Sequence, residues 1–235
     1  MKETHRISSG IKALDKTIEG GFKEKSINLL EGGPGTGKSI FAMQFLVAGI
    51  NEEKENGIYI TFEEEKESLM DNMKKFGWNL ESLEKQEKLA ILDISPEEVV
   101  GLVKKRAFGL KFEIAKKIKA KKIVIDSITA YSLLFEDGLK KREALEELFR
   151  ALRELNCTSL LVAEREVTLD DTTILPDLVD FEVDSIISLY NIRKGDIRER
   201  ALEVRKIRGT KSVSKIFPMK LGDKGIDIYP EEALF

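Results

Sequence analysis

A single cysteine, Cys157, leaves the chain without an internal disulfide framework. Its single histidine, His5, has no Cys or His companions of the kind a zinc-type site requires. No apolar run approaches the ~18 residues of a membrane span, and the N-terminus does not resemble a signal peptide. The expectation is therefore a soluble, cytoplasmic protein with no membrane partner. Internal repeats, low-complexity tracts and Pro/Ser-rich linkers are absent too, and 235 residues suffice for one domain with a buried core, so residues 1–235 read as a single domain. Neither sign of charge dominates. With 39 Lys and Arg against 42 Asp and Glu the net charge is −3, which argues against a generally basic nucleic-acid or membrane binder. Charged residues make up 34% with only two glutamines, a bias found in hyperthermophile proteins.

What the chain does have is alternation. Apolar runs at residues 27–31, 58–62, 89–94, 122–126 and 158–163 read as buried parallel strands. Helical patterns separate them: residues 40–50 place Ile40, Met43, Val47 and Ile50 on one face, and residues 141–155 do the same with Leu145, Leu148, Phe149, Leu152 and Leu155. A Glu146/Arg150 pair marks the solvated side of the second helix. Ser95 with Glu98 forms a capping box around Pro96. After residue 184 the pattern changes to strands at 185–192, 200–208, 214–221 and 226–230 with turn signals between them, expected as largely antiparallel hairpins. The fold class is α/β, a mostly parallel central sheet flanked by helices with C-terminal antiparallel hairpin strands at its edge.

Residues 32–39 read GGPGTGKS, a complete G-x-x-x-x-G-K-[ST] motif between the first strand and the first long helix. Its glycines let backbone N–H groups converge on anionic oxygens. Lys38 adds a charge for the β- and γ-phosphates, and Ser39 offers a hydroxyl to Mg²⁺ at the positive end of the helix. Gly33, Pro34, Gly35, Thr36, Gly37, Lys38, Ser39 and Ile40 are thus the candidate contacts to ATP. Asp126, closing the apolar run Ile123-Val124-Ile125, is either the second group that organises Mg²⁺ or an ordinary strand-end cap. Glu63, Glu64 and Glu65 follow the strand at 58–62 at the edge where open α/β sheets bind ligands. On pattern alone they either activate water or form an acidic first helical turn. Trp78 and Phe76 are expected to pack at a helix end, and Cys157 in the core.

The order RISSGIKALDKTIEGG, GGPGTGKS, GIYITFEEE, KKFGWNL, IVIDS and RKIRGTKS resembles the KaiC-like branch of the RecA superfamily over nearly the whole chain, in its single-domain, mainly archaeal form. The resemblance implies a RecA-like P-loop ATPase that binds ATP·Mg²⁺ and hydrolyses it slowly in a homohexameric ring. It implies that Glu63 and Glu64 are the catalytic glutamates. It also implies that Lys206, Arg208 and Thr210 meet the nucleotide of a neighbouring subunit, and that Asp223 contacts nucleotide. Without the resemblance, Lys206 and Arg208 read as a solvated strand edge. Ser212 departs from the family, which often has histidine there.

Two other readings share the motifs: a RadA-paralogue-like accessory of DNA repair, and a signalling scaffold whose nucleotide only sets its conformation. Residues 165–184 hold seven acids and one base, a segment that repels phosphates, so DNA is not an expected partner. Residues 191–215 hold nine bases and three acids. The two stretches suit either a head-to-tail contact between subunits or neutralisation within one.

Overall fold

The computed structural model describes residues 5–104, 113–167, 178–212 and 215–234. A small antiparallel pair, β1 (Arg6–Ile7) and β2 (Phe22–Lys23), precedes the main sheet and encloses helix α1 (Lys12–Thr17). The main sheet begins with β3 (Ile27–Gly32), followed by helix α2 (Lys38–Ala48), which runs into a π turn over Gly49–Glu53. Next come β4 (Gly57–Thr61), α3 (Lys66–Lys74), α4 (Leu80–Lys85), β5 (Leu89–Asp93), α5 (Pro96–Lys104) and α6 (Glu113–Lys117). Then follow β6 (Lys122–Asp126), α7 (Ile128–Leu133), α8 (Gly138–Glu154), β7 (Thr158–Glu164) and α9 (Leu178–Glu182). The chain finishes with β8 (Ser185–Lys194), β9 (Ile197–Ile207), β10 (Ile216–Gly222) and β11 (Gly225–Ile228).

The nine strands are ordered β11-β10-β9-β8-β3-β7-β6-β4-β5. The five strands read from apolar runs all form, within two residues of their expected ends, and pair in parallel. The last four also form, and β8/β9, β9/β10 and β10/β11 are antiparallel as expected. β8 differs, joining β3 in parallel with Asn28 opposite Ser185 and Gly32 opposite Leu189. The reason is length. The stretch from β7 to β8 contains α9 and is long enough for a crossover, so the chain re-enters the sheet from the end at which β3 begins.

Each central strand is buried on both faces, and alternate side chains serve two cores. Tyr59 of β4 belongs to the core under α2, while its neighbours Ile58 and Ile60 belong to the core under α5 and α8. Helix α8 is amphipathic as its spacing requires: Leu145, Leu148, Phe149 and Leu152 are buried and Leu155 packs against them. On its outer side Glu146 pairs with Arg142 at 2.9 Å rather than with the expected Arg150. Helix α2 is not amphipathic, for Phe41, Ala42, Gln44, Phe45 and Leu46 are buried as well as Met43 and Val47. It packs on the central strands β3, β4, β6 and β7 and also against β11, and none of its residues is exposed. The capping box forms, with Glu98 N donating to Ser95 Oγ at 3.2 Å and Ser95 N to Glu98 Oε2 at 3.1 Å. Phe76 and Trp78 meet just beyond α3 with ring centroids 5.0 Å apart, and Cys157 is buried. Among the described residues no helix is long and apolar enough to cross a membrane.

The charge of Lys122 is held inside this framework. Lys122, the first residue of β6, is 0% exposed and its ammonium reaches Glu53 at 3.1 Å and Glu55 at 3.5 Å. It also donates to the carbonyls of Ser8 and Phe45 and lies 4.4 Å from the Phe45 ring centroid. The side chain therefore closes the end of α2, where the π turn disturbs the regular ladder. Gly49 makes room for it, since a Cβ there would lie 2.7 Å from Nζ. Lys122→Ala removes one partner from this group and is expected to cost about 3 kcal/mol, toward the low end for a broken buried ion pair because Glu53 keeps some contact with water. Urea unfolding measures it; a loss under about 1 kcal/mol would assign Lys122 to space-filling alone.

Candidate functional site

The parallel strands β3, β4, β6 and β7 all end on one edge of the sheet, and a cavity of about 480 Å³ opens there. Its walls bring together five of the sequence-predicted residues that matter most, Lys38, Ser39, Asp126, Glu63 and Glu64, with Pro34, Gly35, Gly37 and Ile40. Gly33 and Thr36 belong to the same loop: Thr36 Oγ1 donates to the Gly33 carbonyl at 2.9 Å. The loop closes on helix α2 through Gly37, whose φ of +104° a side chain would strain. Above Gly33 and Gly35 a Cβ would meet nothing within 4 Å, so the loop presents an open cradle at a helix N-terminus.

Lys38 is buried and donates to the Gly33 carbonyl at 3.0 Å. Burial lowers its pKa, against the opposing pull of Glu164, Asp126 and Glu63. Asp126 Oδ2 accepts two hydrogen bonds, from Ser39 Oγ at 2.9 Å and from the Tyr59 hydroxyl at 2.5 Å. Burial raises the Asp126 pKa, and these two bonds only partly offset it. Burial and the neighbouring Asp126 charge push the Tyr59 hydroxyl well above its ordinary value, keeping it a donor. One hydroxyl and one carboxylate at this spot suit Mg²⁺, which takes few protein oxygens and fills its shell with phosphate and water.

The two glutamates differ in their surroundings. Both precede α3, whose N-cap residue is Glu65, so neither belongs to the helix's first turn. Glu64 is tied to α3, its Oε1 accepting from Ser68 at 2.8 Å and Asn72 at 2.7 Å. Glu63 faces the β6 end, where Ser127 Oγ approaches at 3.4 Å. Partial burial and the charges of Glu164 and Asp126 raise its pKa.

Four polar wall residues escaped the sequence reading. Thr61 ends β4 and bonds both the N–H and the carbonyl of Glu64. Glu164 closes the apolar run of β7 as Asp126 closes that of β6, a signal that was available. Its N–H is fixed by Thr129 Oγ1 at 2.8 Å. Lys75 follows α3, and Arg200 enters from β9, where Nε donates to the Gly35 carbonyl at 3.3 Å. Only the hairpin register, with Arg200 opposite Asn191, brings that arginine to the loop, and no local pattern encodes it.

Lys206, Arg208, Thr210 and Asp223 are not among the residues lining this cavity. Lys206 lies six residues along β9 from Arg200, about 20 Å toward the opposite edge of the sheet. Its Nζ donates to the carbonyls of Asp180 at 2.5 Å and Val183 at 2.8 Å, and Arg208 donates to that of Phe181. Burial, then the Arg208 charge, lowers the Lys206 pKa. Arg205 pairs with the buried Glu31 at 2.7 Å, as does Arg165 at 3.0 Å. Part of the basic stretch thus turns toward the acidic stretch of the same subunit, which favours internal neutralisation for these side chains. Thr210 Oγ1 accepts from Arg6, and Asp223 is exposed in the β10–β11 turn.

The family profile described as "ATPase: KaiC" matches residues 7–233. A circadian clock oscillator protein KaiC of Parasynechococcus marenigrum is 32% identical over 99% of this chain but only 46% of its own length. The chain spans about half the length of the KaiC relatives it matches. A UPF0273 protein of Thermotoga maritima is 36% identical and is matched over 97% of both chains. Among solved structures, the KaiC-like protein PH0186 of the hyperthermophilic archaeon Pyrococcus horikoshii OT3 is 35% identical with a TM-score of 0.83, over 97% of this chain and 100% of that one.

Three carboxylates, Glu164, Asp126 and Glu63, therefore influence one lysine. Such a cavity resists a polyanion until a cation joins it. Glu164→Gln is expected to tighten ATP binding in the absence of divalent cations about fivefold, the equivalent of roughly 1 kcal/mol of relieved repulsion. Calorimetry in EDTA reads this directly, and an unchanged affinity would mean that the Glu164 charge is not felt at the phosphates.

Proposed function

The chain belongs to the KaiC family of ATPases, and we propose that it binds ATP with Mg²⁺ and hydrolyses it slowly within a homohexameric ring. The observation that carries this reading is the single cavity lined by Lys38, Ser39, Asp126, Glu63 and Glu64. The loop from Gly33 to Gly37 and the N-terminus of α2 hold the phosphates. Lys38, released from the Gly33 carbonyl, turns to the β- and γ-oxygens. Ser39 and Asp126 hold the magnesium ion, which when bound supplies neutralisation of phosphate charge.

Glu63 is the better base of the pair. Its raised pKa brings it nearer to neutrality, whereas two donors already occupy Glu64 Oε1 and leave it suited to orienting. Water attacks the γ-phosphorus, the bond from that phosphorus to the β–γ bridging oxygen breaks, and Glu63 takes the proton as ADP and phosphate separate. Positioning and electrostatics do most of this work.

Lys206 and Arg208 complete the reading as a finger that acts on a neighbour. The 20 Å or so along β9 supports a role in trans, since neither residue lines its own subunit's cavity. In the isolated subunit both are engaged with main-chain carbonyls, in keeping with slow turnover. The number six comes from family resemblance. Opposed charge alone does not argue for the ring contact, given how much of it is met internally.

Two experiments test this. Lys38→Ala is expected to weaken ATP binding, and Glu63→Gln/Glu64→Gln to preserve binding while abolishing turnover; parental hydrolysis by the double variant would refute the assignment of water activation. Mixing Arg208→Ala subunits with Glu63→Gln/Glu64→Gln subunits should give rings that recover turnover neither parent shows, read by phosphate release alongside native mass. Mixed rings without recovery would rule out action in trans.

A further inference from the structure

The end of β9 that carries Lys206 and Arg208 is held from two sides. On one side the carbonyls at the end of α9 take the two cations. On the other side stands the small N-terminal sheet, 204 residues away in sequence. Arg6 of β1 directs Nη1 to Thr210 Oγ1 at 2.9 Å and to the Gly21 carbonyl at 3.2 Å, and Nη2 to Glu19 Oε2 at 3.1 Å. Its side chain is only 16% exposed, so the guanidinium is fixed by three partners of different chemistry. Lys23, opposite Arg6 in the β1/β2 pair, lies against the same turn: a Cβ on Gly209 would come within 2.6 Å of its Nζ. Gly209 itself has a φ of +60°. Arg208 N donates to the Asp184 carbonyl at 2.8 Å, which ties the turn to the start of β8.

We propose that Arg6 is a positioning residue for the Lys206/Arg208 finger, fixing through Thr210 the turn from which the finger is presented to the neighbouring subunit; this rests on the trans reading above. The physical reason is that the turn is held between two sets of polar bonds, Arg6 reaching Thr210 on one side and the α9 carbonyls drawing Lys206 and Arg208 on the other. Without the Arg6 bond the turn keeps only one of the two and has no fixed geometry. A bond from a planar guanidinium that is itself locked by Glu19 and the Gly21 carbonyl sets the position of Thr210, and with it the backbone two residues from Arg208. Phosphoryl transfer is sensitive to such placement, a displacement of ~1 Å being enough to cost about a hundredfold. Arg6 touches neither the cavity nor its lining, so its influence falls on the site of the next subunit and not on its own.

The test separates this from a merely structural staple. Arg6→Ala is expected to lower kcat about ten- to hundredfold with the KM for ATP and the ring mass unchanged. Mixing Arg6→Ala subunits with Glu63→Gln/Glu64→Gln subunits should restore turnover, because the latter supply intact fingers to the former's intact sites. Arg6→Lys keeps the charge but loses the fork that spans Thr210, the Gly21 carbonyl and Glu19, carries the same expectation, and decides the matter if Arg6→Ala fails to fold. Parental kcat in the variant rings overturns the proposal. So does a loss that mixing cannot rescue while Arg208→Ala subunits are rescued, since Arg6 would then act on its own subunit. Failure of the Arg208→Ala mixture itself identifies the trans reading as the part that failed, and the proposal falls with it.

Discussion

A single carboxylate oxygen, Oδ2 of Asp126, joins the three parts of the nucleotide site. It accepts from Ser39 on the helix after the P-loop and from Tyr59 on the neighbouring strand β4. Because Tyr59 is fully enclosed, its hydroxyl has no water to turn to, and the bond fixes the carboxylate's orientation. The glutamates follow from the same frame, for β4 carries them past its end while β6 holds Asp126 directly opposite Thr61. Placement of Asp126, the phosphate loop and the Glu63/Glu64 pair is thus one packing problem, solved by the register of two parallel strands.

The end of β9 that carries Lys206 is organised in a second way. Here main-chain carbonyls at the end of α9, the hydroxyl of Thr210 and the carbonyl of Asp184 add polar ties to the buried contacts of Val179, Val183 and Val204. Hydrogen bonds to a charged donor can be exchanged for others of similar strength, whereas a packed core cannot be traded piecemeal. A packed cavity at one edge of the sheet and exchangeable polar bonds at the other therefore coexist.

The parallel strands and the phosphate loop were legible because each is encoded locally: apolar runs of strand length, glycines where the loop must be open, and Lys-Ser at a fixed offset. Asp126 and the Glu63/Glu64 pair were legible because they terminate such runs. Arg200 and Lys75 were not, since their place in the wall depends on hairpin register and on the path of the chain after α3. The parallel entry of β8 was missed for a related reason, as strand direction is set by the crossover before it and leaves no mark in the strand's own residues. Helix α2 read as amphipathic because its second apolar face has no partner until β11, far along the chain, packs against it. The resemblance to the KaiC-like family assigned Lys206 and Arg208 a purpose that composition alone would have left as a solvated edge.

The position of β3 has a consequence for how the chain is made. Its two neighbours in the sheet are β7 and β8, whose pairings with it span more than a hundred residues of sequence. On a ribosome, the strand that leads into the P-loop emerges early and waits unpaired until β7, and then β8, have followed. Loops of that length close late and slowly, so the phosphate-binding segment is among the last parts of the sheet to be completed. A nascent or truncated chain lacking its C-terminal strands accordingly exposes an apolar strand open on the β8 side.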